Sequence, residues 1–156
     1  MVSALRDLVN EDSEMLICDA NALYAAYDKD EPRHKAVVAE LKAASREPKL
    51  LSPFVLAEVD YFMLTRLGTR AENALLQDVE DGVYELCPMT GSDVAQARAL
   101  INQYEALEIG LADASIAVLA ARHETTRLLT FDERHSRAIT PLWGAAFTLL
   151  PTDSRG

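Results

Sequence analysis

Four carboxylates stand where a charge is awkward, and as a set they can do chemistry. Asp19 ends the apolar run Met15-Leu16-Ile17-Cys18, and Asp132 follows a second such run in LLTFDERH. Glu58 lies in SPFVLAEVDYFML, where helical spacing gives it Phe54, Val55, Val59 and Phe62 as neighbours, a face expected to pack down. Asp113, in GLADASIAVLAA, opens a run that carries no other charge until Arg122. Each has an ordinary structural reading. Asp19, Asp113 and Asp132 suit the caps or first turns of helices that follow them, and Glu58 could snorkel outward.

Taken together the ordinary readings fit poorly, because carboxylates gathered at one dry sheet edge repel and cannot all stay ionised. A divalent cation removes the conflict. Oxygen donors without a His or Cys set suit Mg²⁺, with Mn²⁺ as a substitute, better than zinc. Mg²⁺ keeps several waters and favours phosphate oxygens, so the natural substrate is a phosphodiester and the natural reaction hydrolysis by a metal-activated water. His34, His123 and His135 show no metal-ligand spacing to one another and read as structural. Asp60, next but one to Glu58, points to another helical face.

The elements that must position these acids alternate along the chain. Strands are expected at 15–19, 49–52, 83–87, 127–131 and 146–150. Helices are expected at 20–27, 32–46, 54–67, 69–80, 92–107 and 111–122, with a short one after Asp132. Ser52-Pro53 supplies an N-cap and a proline at the first helical position, and Gly68 stops that helix. Short apolar strands separated by helices imply a parallel sheet covered on both faces, the α/β class. In such sheets ligands bind beyond the carboxyl ends of the strands, where the strand order reverses. Asp19 and Asp132 fall there.

Length and composition set outer limits. The 156 residues fit one domain with a real core, and 49% hydrophobic with 26% charged residues argues against general disorder. A net charge of −10 leaves no large basic face for nucleic acid, so any contact with RNA needs a bound cation or local arginines. Arg33, Lys35, Arg66, Arg70, Arg134 and Arg137 are the candidates for phosphate contact, with plain surface solvation as their ordinary role. No apolar run approaches the roughly 20 residues of a membrane span. The opening MVSALRDLVNEDSE lacks the basic start and apolar core of a signal peptide, and Cys18 and Cys87 sit in apolar runs as reduced thiols do; both suit a cytoplasmic protein. Trp143 is expected to pack against the last strand.

The segments ICDANALYAAYD, SPFVLAEVDYFM, GLADASIAVLA and LLTFDERH, in this order and spacing, resemble the PIN-domain family, and within it the VapC-type endoribonuclease toxins of bacterial toxin–antitoxin pairs. The likeness spans nearly all of the chain after Met15. It implies a PIN-like three-layer α/β/α fold on a five-stranded parallel sheet of order 3-2-1-4-5, with residues 15–156 as one PIN domain and 1–14 as an N-terminal extension. It further implies a Mg²⁺- or Mn²⁺-dependent ribonuclease that cuts RNA to leave 5′-phosphate and 3′-hydroxyl ends. Asp19, Glu58, Asp113 and Asp132 fall at the family's metal-binding acids. Asn21 falls at its substrate- or water-holding polar position, and Thr130 at its hydroxyl position. A VapB-like antitoxin and a homodimer are the partners implied.

Two other readings compete. A non-catalytic PIN-like scaffold would bind RNA or a partner without cutting, but such scaffolds tend to lose acids and here the set is intact. An Asp-nucleophile phosphatase would also place an acid after a parallel strand. It needs a second Asp where Asn21 stands and a lysine late in the chain, whereas every lysine (Lys29, Lys35, Lys42, Lys49) falls at or before the second strand.

Overall fold

The computed structural model describes residues 14–154; nearly all of the expected N-terminal extension lies outside them. Five short strands form one sheet: β1 (Leu16–Cys18), β2 (Lys49–Leu51), β3 (Glu85–Leu86), β4 (Arg127–Leu129) and β5 (Thr148–Leu150). Their order is β3-β2-β1-β4-β5, and every pair is parallel. The helices between them are α1 (Ala20–Tyr27), α2 (His34–Ala43), α3 (Pro53–Leu67), α4 (Thr69–Glu80), α5 (Gly91–Gln103), α6 (Leu111–Arg122) and α7 (Glu133–Ala138). Right-handed crossovers put α1–α4 on one face, since those connections step from β1 toward β3. The return to β4 and the step to β5 put α5–α7 on the other. The expected three-layer α/β/α fold with order 3-2-1-4-5 is therefore present.

The core explains why the strands read as continuous apolar runs. Leu16, Ile17, Cys18, Leu50, Leu51, Leu129 and Leu149 are all buried at 1% exposure or less, which both-face coverage requires. On α3 the buried stripe is Val55, Val59 and Met63, at four-residue spacing. Ser52 caps α3, its hydroxyl accepting from Phe54 N–H at 3.2 Å, and Pro53 holds the first helical position. The α6 run is buried without a break from Ala114 to Ala120, as its lack of charge implies. Cys18 and Cys87 are free and buried, with β2 between their strands, and burial pushes the Cys18 thiol up to about 12.

Several boundaries differ from expectation for local reasons. β3 keeps only two residues, both exposed, because it is an edge strand with β2 as its single neighbour. The helix expected at 92–107 ends at Gln103. A 3₁₀ turn at Glu105–Leu107 and the left-handed Glu108 (φ 51°) then redirect the chain into α6. α2 starts at His34, whose N–H is held in a turn by the Glu31 carbonyl at 3.0 Å. β4 ends after Leu129: Thr130 N–H still donates to the Leu150 carbonyl of β5, but the next, Phe131 N–H, leaves the ladder for the Asn21 side chain. Trp143 is 43% exposed and lines a surface groove beside Thr148 and Leu150 of the last strand.

Candidate functional site

Strand register builds the centre of the site. Ile17 and Cys18 pair with Leu128 and Leu129, and Asp19 N–H donates to the Leu129 carbonyl at 2.9 Å. The next residues along, Asp19 and Thr130, therefore face each other where β1 and β4 part, at the reversal of strand order. Thr130 donates through its hydroxyl to Asp19 Oδ2 at 2.7 Å, and Ala20 N–H donates to Oδ1 at 2.8 Å. Asp19 thus also caps α1, so the capping and site readings of this residue are not alternatives.

Burial dominates the electrostatics of Asp19. It is 8% exposed, and desolvation pushes its carboxyl up to about 6 against the pull of the Thr130 hydroxyl, with the charges of Asp113 and Glu58 adding to the rise. Asp113, in the first turn of α6, is also held above the ordinary carboxylate range by burial, with Asp132 adding to it. Its Oδ2 accepts from Gly110 N–H at 3.4 Å. Asp132 caps α7, accepting from His135 N–H at 3.1 Å, and its own N–H donates to Thr130 Oγ1 at 3.0 Å. Thr130 therefore bridges the acids that end β1 and follow β4.

The four expected acids do not meet on equal terms. Asp19, Asp113 and Thr130 line one small cavity of about 20 Å³, room for a single water, together with apolar Ile17, Ile116, Leu128 and Phe147. Asp113 and Asp132 come together in a tighter group with His135. Glu58 joins neither. Its face was expected to pack down, yet Glu58 is exposed while Val55 and Val59 beside it are fully buried. The stripe that packs is turned by one position, which leaves Glu58 at the mouth between half-buried Phe54 and Phe62. Partial burial and the Asp113 charge still raise its carboxyl. Asp60 points away, toward α4, where the proximity of its carboxylate raises the Glu72 carboxyl.

Asn21 uses its side-chain oxygen on the Phe131 N–H at 3.3 Å, so it clamps the turn that follows β4 to α1. Sequence reasoning missed His135. Its Nδ1 lies 2.8 Å from Asp132 Oδ2 and 3.9 Å from Asp113 Oδ2. The signal was present as the i, i+3 spacing of Asp132 and His135, which puts both on one side of a helical turn. Among the candidate basic residues, Arg33 stacks over the Phe131 ring at 3.8 Å from its centroid, and Arg66 lies over Phe62 and Tyr24. Arg137 is committed to a two-pronged pair with Asp153. Lys35, Arg70 and Arg134 are exposed.

Residues 16–139 match the PIN domain family. The chain belongs to that family. A curated relative, ribonuclease VapC26 of Mycobacterium tuberculosis (strain ATCC 25618 / H37Rv), is 40% identical over 136 residues, which is 87% of this PIN-domain chain and 100% of the relative. Among solved structures the fold is similar to Mycobacterium tuberculosis VapC20, described as a sarcin-ricin loop cleaving toxin. That likeness has a TM-score of 0.72 at 21% identity, over 79% of this chain and 94% of that one. It is similar also to VapBC2 from Rickettsia felis bound to a DNA fragment from their promoter. Here the TM-score is 0.65 at 18% identity, over 86% and 98% of the two chains. Among the described residues no helix is long and apolar enough to cross a membrane.

Proposed function

We propose that this PIN-domain protein is a VapC-type endoribonuclease, the toxin of a VapBC-like pair, acting in the cytoplasm on RNA phosphodiester bonds. The observation that carries the reading is that Asp113 shares one cavity with Asp19 and one ligand-distance group with Asp132, beside the reversal point of the sheet, in a chain 40% identical to a VapC ribonuclease over most of its length. Residues 15–156 form the catalytic domain and 1–14 an extension outside it.

The donor set fits a divalent cation. Raised carboxyls at Asp19, Asp113 and Glu58 are what clustered acids show before a cation neutralises them, and oxygen donors suit Mg²⁺, with Mn²⁺ as a substitute. Asp19, Asp113 and Asp132 would hold it directly or through water, with Glu58 reaching in from the mouth. Bound there, such an ion supplies charge neutralisation at the scissile phosphate and activation of the attacking water.

The chain's own residues do the remaining work. Thr130 and the Ala20 N–H fix both oxygens of Asp19, so the carboxylate is held in one orientation before any ligand arrives. Asn21 fixes the Phe131 turn, and Arg33 offers a guanidinium over that ring as a rim contact for a phosphate or a base. Hydrolysis adds water across the phosphorus–O3′ bond, leaving a 5′-phosphate and a 3′-hydroxyl. The strongly negative chain suits a basic antitoxin segment laid across the acids, and a homodimer completes the assembly.

Purified protein should cut single-stranded RNA with Mg²⁺ or Mn²⁺ and stop in EDTA, while Asp19→Asn and Glu58→Gln lose activity. Equal cutting in EDTA, or full metal-dependent activity in Asp19→Asn, overturns the reading. RNA binding without cutting under every metal condition would instead mark a non-catalytic scaffold.

A further inference from the structure

The geometry points to His135 as a ligand of the bound cation through Nδ1, completing with Asp113 and Asp132 a mixed nitrogen–oxygen subsite that favours Mn²⁺ over Mg²⁺. The inference rests on the metal reading above and adds a residue and a selectivity to it. One ligand atom from each of Asp113, Asp132 and His135 lies within 4.8 Å of the other two. Ligands at about 2.1 Å from an ion sit about 3 Å apart when adjacent and about 4.2 Å apart when opposite. The separations of Nδ1 from the two carboxylates, 2.8 Å and 3.9 Å, lie within a few tenths of an ångström of those two values. A purely structural histidine held by Asp132 needs only the first of these contacts.

A second observation joins this trio to the rest of the site. The cavity of about 20 Å³ is lined by His135 together with Asp19, Asp113 and Thr130, so His135 shares one small space with buried Asp19. Its polar lining is two carboxylates, two hydroxyls (Thr130 and Ser136) and an imidazole, and the rest of the lining is apolar. That space has room for one water or one ion.

No other histidine can supply the nitrogen. His34 Nδ1 is engaged with the Ala25 carbonyl at 2.7 Å, and His123 closes the far end of α6, lining a different groove. With the proton on Nε2, His135 Nδ1 exchanges its contact to Asp132 for the ion while the short helix α7 stays as it is. An imidazole nitrogen suits a transition metal far better than Mg²⁺, whose partners are oxygens. The expected consequence is a preference for Mn²⁺ carried by one side chain.

Pulsed electron paramagnetic resonance of Mn²⁺ bound to the tag-free full chain reads this directly. The wild type should show nitrogen-14 modulation from a coordinated imidazole, and His135→Gln should lose it while circular dichroism and Tm stay put. Calorimetric titration should show Mn²⁺ affinity falling about tenfold or more in that variant and Mg²⁺ affinity changing little. Mn²⁺ bound without nitrogen coupling, or coupling that survives in His135→Gln, overturns the assignment. If Asp113→Asn abolishes Mn²⁺ binding in that case, the carboxylate site still stands. A wild type that binds neither ion removes the metal reading and this inference with it.

Discussion

The Thr130 hydroxyl donates to Asp19 at 2.7 Å across the gap where β1 and β4 part, and the same oxygen accepts from Asp132 N–H at 3.0 Å. One hydroxyl thus orients a carboxylate on one strand by being fixed from the backbone of the next. The bond also pulls the Asp19 carboxyl down against the larger upward push of burial. Thr130→Val keeps the shape and removes the donor, so the Asp19 carboxyl should move further up. Cleavage at neutral pH should fall about tenfold, and the acid limb of the rate profile should shift to higher pH. Thr130→Ser should restore both. Initial rates of RNA cleavage from pH 5 to 8 at fixed metal check this; a Val variant with an unmoved limb would separate Thr130 from Asp19 ionisation.

Asp19 should make the metal-free protein less stable as it ionises. Its folded carboxyl sits near 6 against an ordinary 3.8, so between those values the folded state binds more protons than the unfolded state. Stability tied to this group is complete below about pH 4 and is lost as pH rises through about 6, by about 2–3 kcal/mol at 1.36 kcal/mol per unit. Asp19→Asn keeps an acceptor for the Ala20 N–H and removes the buried charge. In EDTA at pH 7 the variant should therefore be more stable than wild type by about 1–2 kcal/mol while being catalytically dead. Urea unfolding at pH 4.5 and pH 7 tests the sign: the gap should narrow at the lower pH, and a gap that widens there would refute the argument.

Arg33 marks the rim where substrate should first be felt. Its guanidinium lies 3.8 Å from the Phe131 ring centroid and 2.9 Å from Glu31, on a face otherwise dominated by acids. Arg33→Ala should raise KM for RNA severalfold with kcat little changed, and should flatten the dependence of KM on salt. Arg33→Lys keeps the charge but not the planar stack, so it should recover only part of the loss. Steady-state cleavage at two salt concentrations separates these outcomes, and an equal fall in kcat would instead place Arg33 in the chemistry.

Much of this arrangement was legible in the sequence because strand ends are marked by abrupt changes of chemistry. Apolar runs closed by Asp19 and by Thr130-Phe131-Asp132 give both the parallel sheet and the edge that carries the site. The buried run of α6 places Asp113 by the same logic. Glu58 was harder, because neighbours in a helix do not say which stripe packs. Val55, Val59 and Met63 won that face, and a turn of one position sent Glu58 to the mouth. Asn21 read as a polar group for substrate, yet its oxygen is used on a backbone N–H of residue 131, a pairing that depends on tertiary closure. His135 has no metal-ligand spacing to the other histidines; its partner is the acid three residues before it.

A contact that no motif reveals ties the helix carrying Glu58 to the helix carrying Asp113. Ser52, the cap of α3, and Ser115, two residues past Asp113 on α6, share a hydrogen bond at 2.7 Å, both at 0% exposure. Ser115 Oγ in turn donates to the Ala112 carbonyl at 2.6 Å, which leaves Ser52 as the donor between the two hydroxyls and the acceptor for Phe54 N–H. The bond ties the start of the helix that carries Glu58 to the helix that carries Asp113. Ser52→Ala removes a cap and a buried donor together and should cost about 1–3 kcal/mol. Ser115→Ala should cost less, since Ser52 keeps its capping role. If the pair acts as one unit, the double variant should show a coupling of about 0.5 kcal/mol or more in urea unfolding. Cleavage by either single variant should fall more than its stability loss explains, because the two acids lose their fixed spacing. Strict additivity, with activity unchanged at temperatures where the variants stay folded, would show that the serines stabilise the core without setting the site.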